Sequence, residues 1–295
     1  MIKLKDFDIK RFDSDSFSTH LYIFEGKLGE KYFGKRTPKA QFNEASVNWQ
    51  TRCDNSKMFN GKFKINKFIT HLSTKRYVYS LFEFVDNQEP FEVNTRNCRL
   101  FGSSLAKLHN LGAEEFVCAE KHEHYESLDA WTSITPSGSN FLDSLYTQSL
   151  QLREDAFNLV DPILDSQPKV VCHRDFKFQN IVYDGSDYHL IDFDFLARDF
   201  AAIECGIFLT ELDDPDHLEA FLKAYITDNT VLDPEHFYNI PDAAVKYLCC
   251  NAFPFYVDSV SEQTKICLAN DRNARLRRIL SNFEMIKIKI ESILD

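Results

Sequence analysis

The first ninety residues are organised in short runs of β-branched and aromatic residues, each bounded by polar, turn-forming segments such as DSDSFS and GKLG. Runs of this length and composition are typical of strands. After the third run, the segment KAQFNEASVNWQTRC follows Pro38 and spaces its apolar residues as a helix does. We therefore predict the order β-β-β-α-β-β, with strands at residues 7–12, 19–26, 30–36, 62–70 and 75–86.

Beyond residue 86 the hydrophobic spacing becomes helical. The polar segment 86–94 is the predicted linker, and the leucines of TRNCRLFGSSLAKLHNLG follow it at helical intervals. Further helical patterns cover residues 138–165, 217–227, 242–260 and 273–295. We therefore predict an α+β fold with two lobes, a small mostly-β lobe at 1–86 and a larger mostly-α lobe at 87–295.

The charge balance excludes some classes of partner. Lys and Arg number 34 and Asp and Glu number 45, and 34 − 45 gives a net charge of −11. This balance argues against a general nucleic-acid binder and suits a cationic small substrate. No run reaches the roughly 18 apolar residues of a membrane span. The start of the chain lacks the apolar core of a signal peptide, so we expect a cytoplasmic protein.

Residues 170–199, VVCHRDFKFQNIVYDGSDYHLIDFDFLARD, combine short apolar runs with a burst of charge. A loop after the first run exposes a His-Arg-Asp triplet, which ends at Asp175, and Lys177. The tight turn YDGSD then returns the chain as a hairpin. We expect this hairpin to bring Asp192 close to Asn180.

These residue types suit phosphoryl transfer. Asn180 and Asp192 supply hard oxygen ligands of the kind that Mg²⁺ takes together with substrate phosphates. Asp175 would accept a proton from an attacking hydroxyl, and Lys177 would offset charge on the transferring group. Because this reaction needs mainly positioning and charge stabilisation, these groups suffice.

Two motifs in this region carry a resemblance to a known superfamily. HRDFKFQN resembles the H-x-D-x-x-x-x-N catalytic loop of protein kinases and of the aminoglycoside phosphotransferase and choline kinase families. LIDFDF resembles their metal-binding motif, and the 17 residues from Asp175 to Asp192 are a typical spacing. LAKLHNLG resembles a helix that precedes the catalytic loop in the small-molecule kinases. The resemblance implies a bilobal, protein-kinase-like fold.

The resemblance also assigns roles. It implies that Asp175 is the catalytic base, that Asn180 and Asp192 bind Mg²⁺, and that His173 braces the loop. Asp194 is a second acid on the metal side or a hydrogen-bonding brace, and Lys177 either contacts the γ-phosphate or is solvated.

For the nucleotide, the resemblance implies that Lys35 approaches the phosphates, with Lys31 and Arg36 as alternatives. Glu44 on the following helix would pair with that lysine. Backbone groups around Glu83, Phe84 and Val85 would bind the base at the hinge between the lobes. The first loop, DSDSFST, has no G-x-G-x-x-G pattern, and its hydroxyl and backbone N–H groups would contact phosphate instead.

The segment after the metal motif separates protein kinases from small-molecule kinases. A protein kinase has a long activation segment ending in A-P-E, which is absent, and Asp194 replaces the glycine of D-F-G. Small-molecule kinases usually open the next helix with Asp-Leu-Ala, where this chain has IEC and offers Glu204. The small-molecule class is therefore the better match.

We predict a phosphotransferase that uses ATP or GTP and Mg²⁺ to phosphorylate a hydroxyl of a small molecule. The acids of TELDDPDHLE (210–219) and the aromatic segment FPFYVDSV predict a cationic acceptor, an amino-sugar or aminoalcohol. The alternatives are a catalytically silent scaffold of the spore-coat type and a protein kinase.

Other chemistry-bearing residues receive structural roles. His109 is expected to be a packed or capping histidine, and HEHYE (122–126) a solvated run rather than a metal site. The eight cysteines show neither a C-x-x-C pair nor zinc-ligand spacing. We expect them to be free core residues in a reducing compartment.

Overall fold

The computed structural model describes residues 4–11, 20–42, 63–87, 93–111, 128–132, 134, 139–163, 166–251 and 261–295. They belong to two compact units. The first comprises the described residues within Met1–Glu92 together with Gln179–Leu196, and the second comprises most of the rest. The first is β-rich and the second, larger unit is mostly helical, so the predicted α+β class is confirmed. The predicted division at residue 86 stays a prediction, because the units are discontinuous in sequence.

The first unit contains an antiparallel five-stranded sheet in the order β1-β2-β3-β6-β5. These strands are β1 (Phe7–Arg11), β2 (Leu21–Gly26), β3 (Lys31–Pro38), β5 (Phe68–Ser73) and β6 (Tyr77–Glu83). Strands β1, β2, β3 and β6 lie where the β-rich runs predicted them, and β5 overlaps only the end of the run predicted at 62–70. After β3 the chain makes a 3-10 turn at Lys39–Gln41, and most of the predicted helix lies outside the described residues.

The prediction of a single strand at 62–70 is wrong. The run divides into β4 (Phe63–Ile65) and β5, and β4 belongs to a second sheet, where it pairs in parallel with β9 (Tyr188–Leu190). The division falls at Asn66 and Lys67. The N–H of Asn66 donates to the carbonyl of Leu190 at 2.9 Å, whereas the carbonyl of Lys67 accepts from Glu83 at 2.9 Å. The chain therefore leaves the sheet of β4 and β9 and joins the five-stranded sheet between Asn66 and Lys67.

One aromatic cluster fixes the position of β3 in the sheet. Phe24 is fully buried and packs edge-on against Tyr22 and Tyr79. Its ring lies directly over Gly34, where a Cβ atom would come within 2.1 Å of the ring. Because side chains alternate along a strand, the neighbouring Lys35 points to the opposite face.

The second unit is built from helices around a two-stranded sheet. Strand β7 (Lys169–Cys172) pairs antiparallel with β10 (Ala197–Phe200). The described helices are α1 (Thr95–His109), α2 (Asp129–Thr132), α3 (Asn140–Phe157), α4 (Ala201–Leu209), α5 (Pro215–Asp228), α6 (Pro234–Phe237), α7 (Ile240–Cys250) and α8 (Glu262–Leu294). None of the described helices combines the length and hydropathy needed to cross a bilayer.

Polar caps set the starts of the long helices. The side chain of Asn94 accepts from the N–H of Asn97 at the start of α1, and Ser139 and Ser261 cap α3 and α8 in the same way. Helix α4 has no side-chain cap at its start, and all nine of its residues are buried. A helix that is buried on every side lies in the core of its unit.

Helix α4 is held against α7 by the absence of a side chain at Gly206. A Cβ atom there would come within 2.7 Å of the backbone nitrogen of Ala244 and within 2.9 Å of its Cα. Both atoms belong to a helix backbone, which cannot rotate away. Gly206 therefore sets the distance between the two helices, and with it the position of Glu204.

We expect Gly206→Ala to lower the free energy of unfolding by about 1–3 kcal/mol, because the added methyl group overpacks a helix crossing. The measurement is urea denaturation followed by circular dichroism. Ser281→Ala, which changes an exposed residue of α8, is the matched control and should stay within about 0.5 kcal/mol of wild type. Equal stability of the two variants would contradict this account of the crossing.

Candidate active site

Lys35 connects two carboxylates in the first unit. It lies in the middle of β3, paired in register with Leu21 and Ser80. Its ammonium donates to Oδ1 of Asp192 at 2.9 Å and forms a second ion pair with Asp194. Burial alone would lower the pKa of Lys35, but the two carboxylates outweigh burial and raise it. Lys35 is therefore held as a cation beside the predicted metal-binding motif.

The backbone of Asp192 aims its side chain at this lysine. Asp192 has a φ of 64°, in the left-handed region that few residues other than glycine adopt. It precedes the 3-10 turn Phe193–Phe195, so Asp192 and Asp194 lie on either side of one turn residue. A strained φ at a candidate metal ligand is the kind of outlier that accompanies functional sites.

The predicted hairpin that joins Asn180 to the metal-binding motif is present. Strands β8 (Ile181–Tyr183) and β9 are antiparallel, and the N–H of Ile191 donates to the carbonyl of Asn180 at 2.9 Å. Asn180 is buried and ends a 3-10 turn. The backbone of Asn180 is thus bonded to the residue that directly precedes Asp192. The role of Asn180 as a metal ligand stays a prediction.

The geometry favours Lys35 over its two sequence rivals. Lys31 is exposed at the start of β3. Arg36 lies on the opposite face of the strand, where its guanidinium stacks 4.6 Å from the ring centroid of Tyr77 and contacts Nδ1 of His20 at 2.9 Å. Of these three side chains, only that of Lys35 forms an ion pair with the aspartates.

The remaining predicted nucleotide residues are placed as follows. Glu83 ends β6 as an exposed residue, and Phe84 and Val85 follow it, half-buried and outside any strand. Their predicted role in binding the base stays a prediction. Glu44, predicted as the partner of Lys35, lies outside the described residues, and so do the whole DSDSFST loop, the HEHYE run and the FPFYVDSV segment.

The predicted catalytic loop follows β7 in the second unit. The ammonium of Lys177 lies 2.7 Å from Oδ1 of Asp175, so the loop carries its own ion pair. The N–H of Asp175 is 3.3 Å from Nδ1 of His173, which is buried as a bracing residue would be. The sequence brings Asp175 and Lys177 together because they lie two positions apart on one short loop.

A buried carboxylate that the sequence analysis did not assign holds this loop. Oε2 of Glu204 accepts the N–H of His173 at 2.9 Å, and Oε1 accepts that of Arg174 at 2.5 Å. Nε2 of His109 lies 2.9 Å from Oε2, and Nδ1 of the same ring lies 2.7 Å from the hydroxyl of Tyr225. His109 is packed, as predicted. One carboxylate thus connects the catalytic loop with α1 and α4.

Arg174 receives a second anchor. Its φ is 66°, and its Nε donates to Oδ2 of Asp199 on β10 at 3.0 Å. Both side chains of this ion pair are almost fully buried. The unusual backbone conformation of Arg174 is therefore maintained by bonds from both its main chain and its side chain. The sequence signal that could have identified Glu204 is that it is the one acid in the otherwise apolar run IECGIFL.

Burial alone would raise the pKa of Glu204. The hydrogen bond and the charge of His109, with smaller effects of His173 and Arg174, outweigh burial and lower the pKa. A carboxylate with a lowered pKa stabilises the fold above the pKa of the unfolded chain, near 4.5. This stabilisation is lost as the pH falls through the lower pKa of the folded protein.

We expect Glu204→Gln to lower the stability at neutral pH by about 2–4 kcal/mol, because the two backbone donors bond to different carboxylate oxygens and the amide NH2 group of glutamine would face one of them. Below pH 4.5 the wild-type protein should lose stability more steeply than the variant. The measurement is urea denaturation as a function of pH. Glu219→Gln, at the exposed end of an ion pair on α5, is the matched control and should change stability little.

Three acids of the segment 210–219, which the sequence predicted as contacts for a cationic acceptor, are engaged within the second unit. Glu211 forms an ion pair with Arg275, and Asp213 forms one with Arg278, both on α8. Asp214 caps the start of α5 by accepting from the N–H of Asp216. These acids are engaged in fixing the loop between α4 and α5 to α8.

Solved structures of several small-molecule kinases share this fold. A microcompartment-associated aminopropanol kinase has a TM-score of 0.65 at 11% identity, covering 97% of this chain and 95% of its own. An aminoglycoside phosphotransferase from Alicyclobacillus acidocaldarius has a TM-score of 0.60 at 15% identity, covering 98% and 96%. A choline kinase from Cryptosporidium parvum has a TM-score of 0.60 at 14% identity, covering 100% and 95%. No curated protein sequence matches the chain significantly.

Fold and motifs together define a small-molecule kinase of the protein-kinase-like superfamily. The chain belongs to the phosphotransferase enzyme family (APH), whose model matches residues 64–237, more than half of its length. The predicted enzyme class, a kinase that acts on a hydroxyl of a small molecule, is confirmed at this level.

Proposed function

We propose that this enzyme transfers the γ-phosphoryl group of ATP or GTP, with Mg²⁺, to a hydroxyl of an amine-bearing small molecule. The observation that carries the proposal is the ion-paired group of Lys35, Asp192 and Asp194 in a chain of the phosphotransferase family. It combines a cation for phosphate oxygens with carboxylates for a metal, which are the two kinds of group that this transfer needs.

The donor set fits Mg²⁺. Asp192 and Asp194 offer carboxylate oxygens and Asn180 offers an amide oxygen, all hard ligands. The two carboxylates already share one positive charge, the ammonium of Lys35, so this group of oxygens accepts a cation. When bound there, Mg²⁺ would supply neutralising charge to the phosphate oxygens.

The chain's own residues perform the remaining tasks. Lys35 binds phosphate oxygens. To do so, its ammonium gives up its ion pairs with Asp192 and Asp194. Asp175 orients the acceptor hydroxyl and takes its proton as the oxygen bonds to the γ-phosphorus and the nucleoside diphosphate leaves. Lys177, 2.7 Å from Asp175, offsets charge on the transferring group.

The proposed amine in the acceptor rests on two observations. The net charge of −11 favours a cationic ligand over an anionic one at long range. The structural relatives include proteins named for aminopropanol, aminoglycosides and choline, which are alcohols that carry nitrogen. Glu211 and Asp213 of the segment 210–219 are not part of this support, because α8 engages both.

We expect Lys35→Met to weaken nucleotide binding at least about 10-fold, because a charge-assisted phosphate contact contributes about 1.5–3 kcal/mol. The measurement is isothermal titration with a non-hydrolysable ATP analogue and Mg²⁺. Lys10→Met, which removes an exposed ion pair of β1, is the matched control and should bind as wild type does. A wild-type protein that binds no nucleotide would favour the silent scaffold.

We expect Asp175→Asn to lower kcat/KM about 10²–10⁴-fold with nucleotide affinity unchanged, because the amide cannot take the hydroxyl proton. The measurement is nucleotide turnover across a panel of aminoalcohols, amino-sugars, neutral sugars and nucleosides. Asp187→Asn, in the exposed hairpin turn, is the matched control. Turnover with neutral sugars alone would overturn the amine-bearing class, and label transfer to protein would identify a protein kinase.

A further inference from the structure

The residue before the proposed catalytic base has a backbone conformation that arginine rarely adopts. Arg174 has a φ of 66°, and Asp175 follows it directly. A residue with a Cβ atom enters this left-handed region only at a cost in free energy, whereas glycine enters it freely. The proposed base is therefore attached to a residue whose conformation needs support from outside the loop.

One support acts on the backbone nitrogen of Arg174. Its N–H donates to Oε1 of Glu204 at 2.5 Å, and Glu204 belongs to the fully buried helix α4. This hydrogen bond fixes the direction of the N–H group. The angle φ, however, describes rotation about the bond between that nitrogen and Cα. A second constraint, acting beyond Cα, is needed to define it.

The second support acts on the side chain of Arg174. Its Nε donates to Oδ2 of Asp199 at 3.0 Å, inside an ion pair that is almost fully buried. The other oxygen of Asp199, Oδ1, accepts the N–H of Phe200 at 2.8 Å, so the carboxylate is itself oriented. Charge-assisted hydrogen bonds of this kind are strong and directional. The ion pair therefore fixes the direction in which the Arg174 side chain leaves Cα.

Asp199 is held by the strand pairing that leads into the loop. It lies on β10, in register with Val170 of β7, and its carbonyl lies 3.6 Å from the thiol of Cys172. Strand β7 ends at Cys172, and the loop begins with His173. The antiparallel pair therefore sets the position of Asp199 relative to the start of the loop.

We propose that Asp199 is a positioning residue for phosphoryl transfer, which sets the direction of Asp175 through Arg174. The direction of the N–H group, set by Glu204, and that of the side chain, set by Asp199, together define φ of Arg174. This angle places the peptide group that leads to Asp175. Catalysis is sensitive to such placement, because a displacement of about 1 Å lowers a rate by as much as about 100-fold. The inference rests on the proposed role of Asp175 as the base.

The first test is Asp199→Asn, which keeps the shape of the side chain and removes its charge. Because Oδ1 and Oδ2 each accept a different donor, the amide NH2 group would face one of the two. On the panel acceptor that wild type uses best, we expect kcat to fall at least about tenfold. The Kd for the non-hydrolysable ATP analogue with Mg²⁺ should stay within about twofold of wild type. Asp271→Asn, which removes an exposed ion pair with Arg275, is the matched control and should keep kcat.

Two double variants separate positioning of the base from support of the fold. Arg174→Gly/Asp199→Asn and Arg174→Ala/Asp199→Asn both remove the two charges of the ion pair, and they differ from each other by one methyl group. Because glycine adopts a positive φ about as readily as a negative one, its kcat should recover to within about threefold of wild type. The alanine variant should stay at least about fivefold below the glycine variant. Circular dichroism and the Kd for the ATP analogue check that each variant is folded.

The outcomes also separate this inference from the proposed function. No turnover by wild type, or full turnover by Asp175→Asn, would contradict the proposed function and the inference with it. Where wild type is active and Asp175→Asn is not, a wild-type kcat in Asp199→Asn would overturn the inference alone. So would equal kcat values of the two double variants, because the ion pair would then only stabilise the fold. If Asp199→Asn does not fold, the two double variants decide by themselves.

Discussion

The described part of the helical unit depends on one buried carboxylate, that of Glu204. Its two oxygens receive two backbone N–H groups of the catalytic loop and face the imidazole of His109. Hydrogen bonds to a charged group contribute about 1.5–3 kcal/mol each, so this cluster outweighs the roughly 1–3 kcal/mol that the left-handed backbone of Arg174 costs. The loop keeps a conformation that its own sequence would not adopt because Glu204 completes the hydrogen bonding of His173 and Arg174.

The position of Glu204 depends in turn on small residues. Gly206 and Ala244 bring the backbones of α4 and α7 into direct contact, and Gly102 brings α1 equally close to the backbone of α5 at Phe221. Cores are packed too densely to absorb an added methyl group without movement. The close packing of α4 against α7 and of α1 against α5 therefore fixes Glu204 on α4 and His109 at the end of α1. Glu204, paired with His109, in turn positions the catalytic loop. In this sense the loop is positioned by residues far from it in sequence.

Local patterns predicted the local structure. The hairpin from Asn180 to Asp192, the strand runs and the helices before and after the loop follow from spacing that a few neighbouring residues define. What the sequence did not predict is pairing between distant residues. Lys35 and Asp192 lie 157 positions apart, and His109 and Glu204 lie 95 apart. The division at Asn66 belongs to the same class, since β4 leaves its run to pair with β9, a partner that no local pattern specifies.

Net charge does not say which acids of a folded chain are free to contact a ligand. The chain carries a charge of −11, yet its most acidic segment is paired with Arg275 and Arg278 of α8, and Asp192 and Asp194 share the charge of Lys35. A pairing within a few ångströms outweighs the average field of the molecule, since charges farther apart than about 10 Å are screened by salt. The charge that the enzyme presents to a ligand therefore differs from site to site. At each site it depends on the ion pairs that the fold forms there.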